Sequence, residues 1–154
     1  MVLAWRIVKN RYVEQAFDGE GARVNGGCWN SPGYRAVYVS ESRALATLEV
    51  LAGLGSETPL VNYSLIGVRF EEDLVSEIDP PDLPEGWDNS PPGPASQTVG
   101  DLWLAEQSSV VLRVPSVIVP AESNYVLNPT HPDFIKVTID APEELRIDPR
   151  LRRQ

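Results

Sequence analysis

The sequence predicts a single α+β domain with a mixed β-sheet core and a few helices. Several apolar stretches alternate with the two-residue period of a half-buried strand, and two others carry apolar residues at helical spacing. Long segments rich in proline and glycine separate these stretches. The length of 154 residues suits one domain, which we expect to span residues 1–154, with a core over 1–140 and a polar tail over 141–154.

The N-terminal part predicts a strand, a short helix and a series of turns. Leu3 to Val8 alternates as a strand, in which Arg6 faces either a cleft or solvent. Arg11 to Phe17 is predicted to form a short helix. Asp18 to Gly33 contains five glycines, and such turns let backbone N–H groups approach an anion. The segment matches no nucleotide-binding fingerprint, so a structural loop is the simpler interpretation.

The stretch from Ala36 to Leu54 predicts a strand that leads into a helix beginning near Ser42. The residues at the spacing of an inward face are Leu45, Leu48, Glu49 and Ala52. Glu49 is therefore expected to point inward, where an unpaired carboxylate costs several kcal/mol. Tyr38 lies in the preceding strand and is expected to share a pocket with Glu49.

The next segments predict a strand, a long loop and a second principal helix. Leu60 to Phe70 alternates as a strand, and the prolines of Asp79 to Pro94 exclude regular structure there, with Trp87 as a candidate anchor. Ser96 is predicted to cap a helix over Gln97–Ser108. Its residues at helical spacing are Val99, Leu102, Trp103 and Glu106, of which Glu106 is expected to be exposed.

The most apolar run, Val110 to Pro120, is the candidate central strand, and Pro115 interrupts it. Ser116 follows this break and either bonds to its own backbone or is presented to a cleft. Phe134 to Asp140 is predicted to be the last strand. The tail from Ala141 is expected to be partly disordered or to lie across the sheet.

Composition excludes several classes of function. A formal charge of −9 disfavours direct binding of nucleic acid. Cys28 is the only cysteine and His131 the only histidine, so neither a disulfide framework nor a Cys/His metal site is expected. No apolar run is long enough to span a membrane, and the first residues do not resemble a signal peptide, so the cytoplasm is the expected compartment.

The remaining candidates are an arginine, a tyrosine, an inward glutamate and a serine, without a metal. They are Arg6, Tyr38, Glu49 and Ser116. This set suits chemistry at an anomeric carbon, because a carboxylate stabilises an oxocarbenium-like centre, an arginine binds phosphate and a tyrosine stacks on a flat leaving base.

Six short motifs, in this order, support a family resemblance. They are WR at Trp5–Arg6, GARVNGGCWN at Gly21–Asn30, VYVS at Val37–Ser40, LATLEVL at Leu45–Leu51, VPSVIVP at Val114–Pro120 and NYVLNPTHP at Asn124–Pro132. From Trp5 to about Ile139, the chain resembles the RES-domain family, toxins of bacterial toxin–antitoxin pairs. The resemblance implies a fold similar to that of ADP-ribosyltransferases. It also implies cleavage of the nicotinamide–ribose bond of NAD⁺, with water or phosphate as acceptor, although some relatives ADP-ribosylate a protein.

The same resemblance assigns roles to individual residues. Arg6 is expected to contact the phosphates or ribose of NAD⁺, and Tyr38 to pack on the nicotinamide side. Glu49 would orient the nicotinamide ribose and stabilise its developing charge, while Ser116 and, as a further candidate, Asn124 would hold the nucleotide. NAD⁺ is the substrate in this scheme, and no cofactor or metal is expected.

One position departs from the family pattern. The family usually reads Gly-Gly-Arg-Trp where this chain has Gly26-Gly27-Cys28-Trp29, so a phosphate-binding arginine is absent. Three explanations are open. Either the side chain of Arg23 or Arg35 occupies the space of the missing arginine, or NAD⁺ binds more weakly here, or the protein is a family member with attenuated activity. We expect weakened activity and a Cys28 that is a small buried residue rather than a nucleophile.

The implied partner is an antitoxin with an Xre-type DNA-binding domain, whose C-terminal segment would block the cleft. Either a homo-oligomer or a toxin–antitoxin complex is compatible with the sequence. Three functions remain open: an NAD⁺-degrading toxin, a protein ADP-ribosyltransferase whose acceptor meets the proline-rich loop, and a catalytically silent binding or regulatory protein.

Overall fold

The computed structural model describes residues 1–54 and 60–152, and in this part of the chain eight strands form one sheet. The strands are β1 (Val2–Lys9), β2 (Val37–Ser40), β3 (Tyr63–Phe70), β4 (Val75–Glu77), β5 (Val111–Pro115), β6 (Ser123–Leu127), β7 (Thr138–Ile139) and β8 (Glu143–Glu144). The α-helices are α1 (Glu20–Asn25), α2 (Arg43–Gly53) and α3 (Pro94–Glu106). The predicted α+β class with a mixed sheet and few helices is confirmed. No helix of the described residues is long and apolar enough to cross a membrane.

The sheet has the order β4-β5-β6-β2-β1-β3-β7, and β8 also pairs with β3. Only the β4–β5 pair is parallel within this described sheet. In the centre, β2 pairs with β6 so that Ser40 lies opposite Asn124, while Ser40 also pairs with Trp5 of β1. This register brings the C-terminal end of β2 next to the N-terminal end of β6.

Both faces of the central strands are buried by apolar side chains. Because successive side chains of a strand point to opposite faces, Val111 of β5 enters one cluster and Leu112 and Val114 enter the other. The first cluster contains Ala4, Val37, Val39, Val68, Phe70, Val110, Val111, Tyr125, Leu127 and Val137. The second contains Trp29, Ala36, Trp103, Leu104, Leu112, Val114 and Val126.

Two predictions in the irregular parts of the chain are wrong. Arg11–Phe17 forms no α-helix. A 3-10 turn at Asn10–Tyr12 is followed by separate turns, each closed by a backbone hydrogen bond between residues i and i+3. An unpredicted helix, α1, lies inside the glycine-rich segment. Phe134–Asp140 is a strand only at Thr138–Ile139, since a 3-10 helix over Pro132–Lys136 precedes it. His131 caps that helix by accepting from the backbone N–H of Asp133.

The inward face of α2 is shifted from the predicted one. Ser42 caps the helix, since its hydroxyl accepts from the backbone N–H of Leu45. Leu45 and Ala46 are buried, whereas Leu48 is 41% exposed and Ala52 is also exposed. The buried face of α2 is therefore centred on Leu45 and Ala46, and the predicted inward positions Leu48 and Ala52 lie outside it. Glu49 still lies at its edge and is half-buried. The sequence places glycines at 53 and 55 as a stop for this helix, which ends at Gly53, and Gly55 lies outside the described residues.

Helix α3 begins before the predicted cap. Its first residue is Pro94, a favoured position for proline, and Gly93 is the N-cap. Ser96 lies inside the helix and is buried, with no hydrogen-bond partner for its hydroxyl among the described residues. Gly100 is buried in close contact with the carbonyl of Trp29. The prediction that Glu106 is exposed is confirmed, whereas Leu102, predicted inward, is 59% exposed.

The proline-rich loop follows the sequence interpretation, whereas the C-terminal tail differs from it. The loop has no regular structure beyond a 3-10 turn at Pro80–Asp82, and Trp87 stacks on Trp29 with ring centroids 6.2 Å apart. Trp87 is thus the anchor that was expected. The tail joins the edge of the sheet instead of lying across it, because β8 pairs with β3 through Ser64 and Leu65 opposite Glu144 and Glu143.

Gly100→Ala should be strongly destabilising. A Cβ at this position would lie 1.6 Å from the carbonyl oxygen of Trp29, so α3 or the glycine-rich segment must move. We expect the free energy of unfolding to fall by about 3 kcal/mol, measured by urea denaturation.

The matched control for this variant is Gly53→Ala in α2. No atom lies within 4 Å of a Cβ built there among the described residues, so the change should be smaller than about 1 kcal/mol. Equal effects of the two substitutions would show that α3 does not pack against Trp29 as closely as described.

Candidate active site

A cleft of about 450 Å³ lies between β1, β2, α2, the glycine-rich segment and the segment after β5. Five of the six residues predicted for the site line it, namely Arg6, Cys28, Tyr38, Glu49 and Asn124. The sixth, Ser116, lies behind the wall, between the lining residues Pro115 and Val117. The structure therefore places all six predicted residues at or directly behind one cleft.

Glu49 has one carboxylate oxygen fully engaged by the protein. Its Oε1 accepts from the Ser116 hydroxyl at 2.8 Å and from Nδ2 of Asn124 at 2.7 Å. No protein donor reaches Oε2 among the described residues. Hydrogen bonds to an ionised acceptor are the stronger class, so these two donors fix the side chain and leave its second oxygen available in the cleft.

Ser116 is fully buried and bonds both to its own backbone and to the glutamate. Its Oγ accepts from the backbone N–H groups of Ile118 and Val119, each at 3.1 Å, so its hydrogen is directed to Glu49. The sequence interpretation treated these contacts as alternatives. The structure combines them, and the serine acts on the cleft through Glu49 rather than by lining it.

Asn124 is oriented by a residue that the sequence analysis missed. The Ser40 hydroxyl donates to Oδ1 of Asn124 at 2.7 Å, which turns Nδ2 towards Glu49. Ser40 is 5% exposed and lies opposite Asn124 across the β2–β6 pair. Ser40 is the last residue of β2 and of the VYVS motif, but that motif assigns it no role, and only the strand register shows that it lies opposite Asn124.

Tyr38 uses its hydroxyl to hold the glycine-rich segment. The hydroxyl donates to Oδ1 of Asn30 and accepts from the backbone N–H of Trp29 at 3.0 Å. Burial raises the pKa of this hydroxyl well above its usual value. Tyr38 therefore contributes a neutral phenol that fixes the loop, while its ring forms part of the cleft wall.

Asn30 is a second residue that the sequence analysis missed. It is fully buried, and its Nδ2 donates to the carbonyl oxygens of Ala22, Ser31 and Tyr34 at 2.9 to 3.1 Å. The side-chain amide of Asn30 thus joins α1 to the turn that follows this helix. The segment predicted as successive turns is a fixed wall organised around a polar side chain.

Arg6 connects two walls of the cleft. Its Nε donates to the carbonyl of Ala16 at 2.7 Å, and Nη1 donates to the carbonyl of Tyr38 at 3.1 Å. Burial lowers the pKa of the guanidinium to about 10, opposed by the charge of Asp18, so the group remains protonated at neutral pH. Nε and Nη1 are therefore committed to the protein, while no residue that the structure describes accepts a hydrogen bond from Nη2.

The described lining of the cleft carries more acids than bases. Asp18, Glu20 and Glu49 line it, and Arg6 is the one Lys or Arg side chain among the described lining residues. Arg23 and Arg35 both pair with Glu20 and do not belong to that lining. Of the three alternatives for the family's missing cation, the structure therefore does not support replacement by Arg23 or Arg35, because both pair with Glu20 and neither lines the cleft.

Cys28 is half-buried in the cleft wall. Burial and, to a smaller extent, the charge of Glu49 raise the pKa of its thiol. A thiol with a raised pKa is a poor nucleophile at neutral pH. The burial predicted for Cys28 is only partial, since its side chain lines the cleft. The described residues contain no cluster of three or more His, Cys, Asp or Glu side chains suited to a metal.

Alkylation of Cys28 tests the proximity of its thiol to Glu49. Because the negative charge of Glu49 raises the thiol pKa, Glu49→Gln should increase the thiolate fraction and speed the reaction with iodoacetamide at pH 8. Cys28 is the only cysteine, so mass spectrometry of the intact protein reports this site alone. Glu106→Gln, at an exposed position of α3, is the control. Equal rates in both variants would contradict the proposed proximity.

Comparison with known proteins gives one consistent family. The family model described as the RES domain matches residues 3–148. The chain is 34% identical over 152 residues to "Toxin Res" of Yersinia enterocolitica, covering 98% of this chain and 100% of that protein. It is 37% identical over 155 residues to the "Prs ADP-ribosylating toxin" of a Sphingobium species, covering 97% of this chain and 96% of that protein.

The fold has a counterpart among solved structures. A chain in the crystal structure of the M. tuberculosis MbcT–MbcA toxin–antitoxin complex superposes with a TM-score of 0.75 at 20% identity, covering 94% of this chain and 84% of that chain. At this identity the likeness concerns the fold. The family match covers nearly all of the sequence, and the motifs that carry it contain the residues gathered at the cleft. The chain belongs to the RES-domain family.

Proposed function

We propose that this protein is the toxin of a bacterial toxin–antitoxin pair and an enzyme that cleaves the nicotinamide–ribose bond of NAD⁺ in the cytoplasm. The observation that carries the proposal is the carboxylate of Glu49, held at one oxygen by Ser116 and Asn124 with its other oxygen available in the cleft. Relatives named as toxins, at 34% and 37% identity over almost the whole chain, support the biological role.

The proposed step breaks the glycosidic C–N bond. The bonding electron pair leaves with nicotinamide, whose ring thereby loses its positive charge, and the anomeric carbon becomes oxocarbenium-like. The fixed carboxylate of Glu49 stabilises this developing charge, and a preorganised charge of this kind needs no rearrangement as the reaction proceeds. An acceptor then forms a bond to the anomeric carbon. A water molecule or a protein side chain releases its proton to solvent in this step, whereas phosphate attacks through an oxygen that is already ionised.

The other cleft residues would bind and orient the substrate. The ring of Tyr38 offers a flat surface for the nicotinamide, because its hydroxyl is already committed to Asn30 and Trp29. The remaining guanidinium hydrogens of Arg6 would reach phosphate or ribose oxygens. Cys28 supplies no charge where the family usually has an arginine, so we propose weaker binding of the diphosphate here.

The acceptor is the point on which two enzymatic functions differ. Water or phosphate as acceptor makes the protein an NAD⁺ glycohydrolase or phosphorylase. A protein side chain as acceptor makes it an ADP-ribosyltransferase, and the name of the Sphingobium relative, an ADP-ribosylating toxin, favours this alternative. The breaking of the nicotinamide–ribose bond and the role of Glu49 are the same in both.

An antitoxin is the proposed macromolecular partner. The similarity of the fold to a chain in a toxin–antitoxin complex supports a protein partner, and the family resemblance suggests that it carries an Xre-type DNA-binding domain. In this arrangement the antitoxin would cover the cleft and supply the DNA contact, since the toxin chain has a formal charge of −9.

NAD⁺ consumption by the purified protein tests the function directly. Nicotinamide release is measured by chromatography, with and without phosphate, and transfer of labelled ADP-ribose to added protein is followed in parallel. Glu49→Gln should lower turnover by about 100-fold or more, because it removes the charge that stabilises the transition state. Its amide oxygen can still accept from Ser116 and Asn124, so the fold should be kept.

Glu106→Gln is the matched control and should turn over NAD⁺ like the native chain, since Glu106 is exposed and does not line the cleft. No nicotinamide release by the folded native protein, in any of the three acceptor conditions, would contradict the enzymatic proposal and leave the silent binding protein as the better account.

Cys28→Arg should strengthen binding of NAD⁺. The new guanidinium would join Arg6 in a cleft whose described lining otherwise carries three acids. We expect KM for NAD⁺ to fall by about tenfold, the equivalent of one charge-assisted hydrogen bond. Cys28→Ser, which adds no charge, is the control. An unchanged KM in Cys28→Arg would show that the diphosphate does not pass this part of the wall.

A further inference from the structure

Ser40 is a buried polar residue of the cleft that the proposed chemistry does not yet use. Its backbone is fixed on both sides, because it pairs with Trp5 of β1 and with Asn124 of β6. Its hydroxyl donates to Oδ1 of Asn124 at 2.7 Å. The serine is thus held rigidly at the point where the last residue of β2 meets the amide that contacts Glu49.

An asparagine side chain has two unlike ends, and only one of them suits a carboxylate. The NH₂ group donates, whereas the carbonyl oxygen can only accept and is repelled by an ionised acid. When Nδ2 faces Glu49, Oδ1 points away and needs a donor of its own, because an acceptor that is removed from water without a partner is unfavourable. Among the described residues, Ser40 is the side chain that supplies that donor.

The hydrogen bonds form one continuous path. It runs from the Ser40 hydroxyl to Oδ1 of Asn124, and from Nδ2 of the same amide to Oε1 of Glu49, where Ser116 also donates. Ser116 is fixed by two backbone N–H groups, so it keeps its direction without help. Among the described residues, no backbone group binds the side-chain amide of Asn124. The orientation of that side chain therefore depends on Ser40.

We propose that Ser40 is a positioning residue for the reaction at Glu49: it fixes the amide of Asn124, which in turn holds the Glu49 carboxylate with Oε2 towards the cleft. The catalytic part of this inference rests on the proposed function. The orientation of the Asn124 side chain does not rest on that function, and it can be measured in the absence of any activity.

Three variants separate the hydroxyl of Ser40 from its volume, and a fourth changes the side-chain amide of Asn124. Ser40→Ala removes the hydroxyl, Ser40→Thr and Ser40→Val differ from each other only in a hydroxyl against a methyl group, and Asn124→Asp removes the amide. Ser40→Ala and Ser40→Val should lower kcat for NAD⁺ cleavage by about tenfold, with KM changed by less than about twofold, since the residue acts through Asn124. Ser40→Thr should recover most of the turnover that Ser40→Val loses.

The second measurement follows the Asn124 side chain itself by NMR. In the native protein its NH₂ signal, identified by its loss in Asn124→Asp, should exchange slowly with solvent because it is hydrogen-bonded to Glu49. In Ser40→Ala and Ser40→Val, whose thermal unfolding is checked in parallel, the exchange of this signal should become faster, and in Ser40→Thr it should stay slow.

Each outcome separates this inference from the proposed function. Slow exchange and native kcat in Ser40→Val overturn the positioning role, and equal losses in Ser40→Thr and Ser40→Val show that packing, not the hydroxyl, matters. A raised KM with native kcat in Ser40→Val indicates that Ser40 contacts the substrate directly. This result also overturns the positioning role. If the native protein does not cleave NAD⁺, the proposed function fails, while the exchange measurement still decides whether Ser40 orients Asn124.

Discussion

The anchored carboxylate of Glu49 is the interaction on which the rest of the cleft depends. An acid at the edge of a buried helix face is unfavourable unless donors surround it, and Ser116 and Asn124 supply two to the same oxygen. These donors come from the end of β5 and the start of β6, whereas the acid comes from α2. The sheet order, with β2 between β1 and β6, brings these elements together and so places a charge at a defined point of the cavity.

The opposite wall is built by a different principle. The glycine-rich segment contributes Trp29 to the second apolar cluster, and buried polar groups fix the rest of it: Asn30 binds three carbonyls, and the Tyr38 hydroxyl joins Asn30 to Trp29. Helix α3 closes the back of this wall, where Gly100 lets the Trp29 carbonyl approach closely and Gln97 donates to the carbonyl of Gly27. Satisfied polar groups of this kind specify one arrangement of an irregular segment.

Local signals in the sequence predicted the class of fold and singled out Glu49, whereas the family resemblance supplied Cys28 and Asn124 and decided the role expected of Ser116. Glu49 stood out as an acid on an apolar stripe, and Ser116 stood out after a proline that breaks a strand. Leu48 and Leu102 were misassigned because helical spacing defines a stripe but not which edge of it meets the sheet. Ser40 and Asn30 escaped notice because their importance comes from partners that only strand register and loop closure bring near.

The long separation between Glu49 and its donors has a consequence during synthesis of the chain. Ser116 follows the acid by 67 residues and Asn124 by 75. At about 5–20 residues per second, a ribosome needs several seconds to add that length. A nascent chain that ends after α2 therefore carries the acid but none of the groups that hold it in place. Prematurely terminated or stalled products of this gene lack an assembled centre, and completion of β6 is the step that creates it.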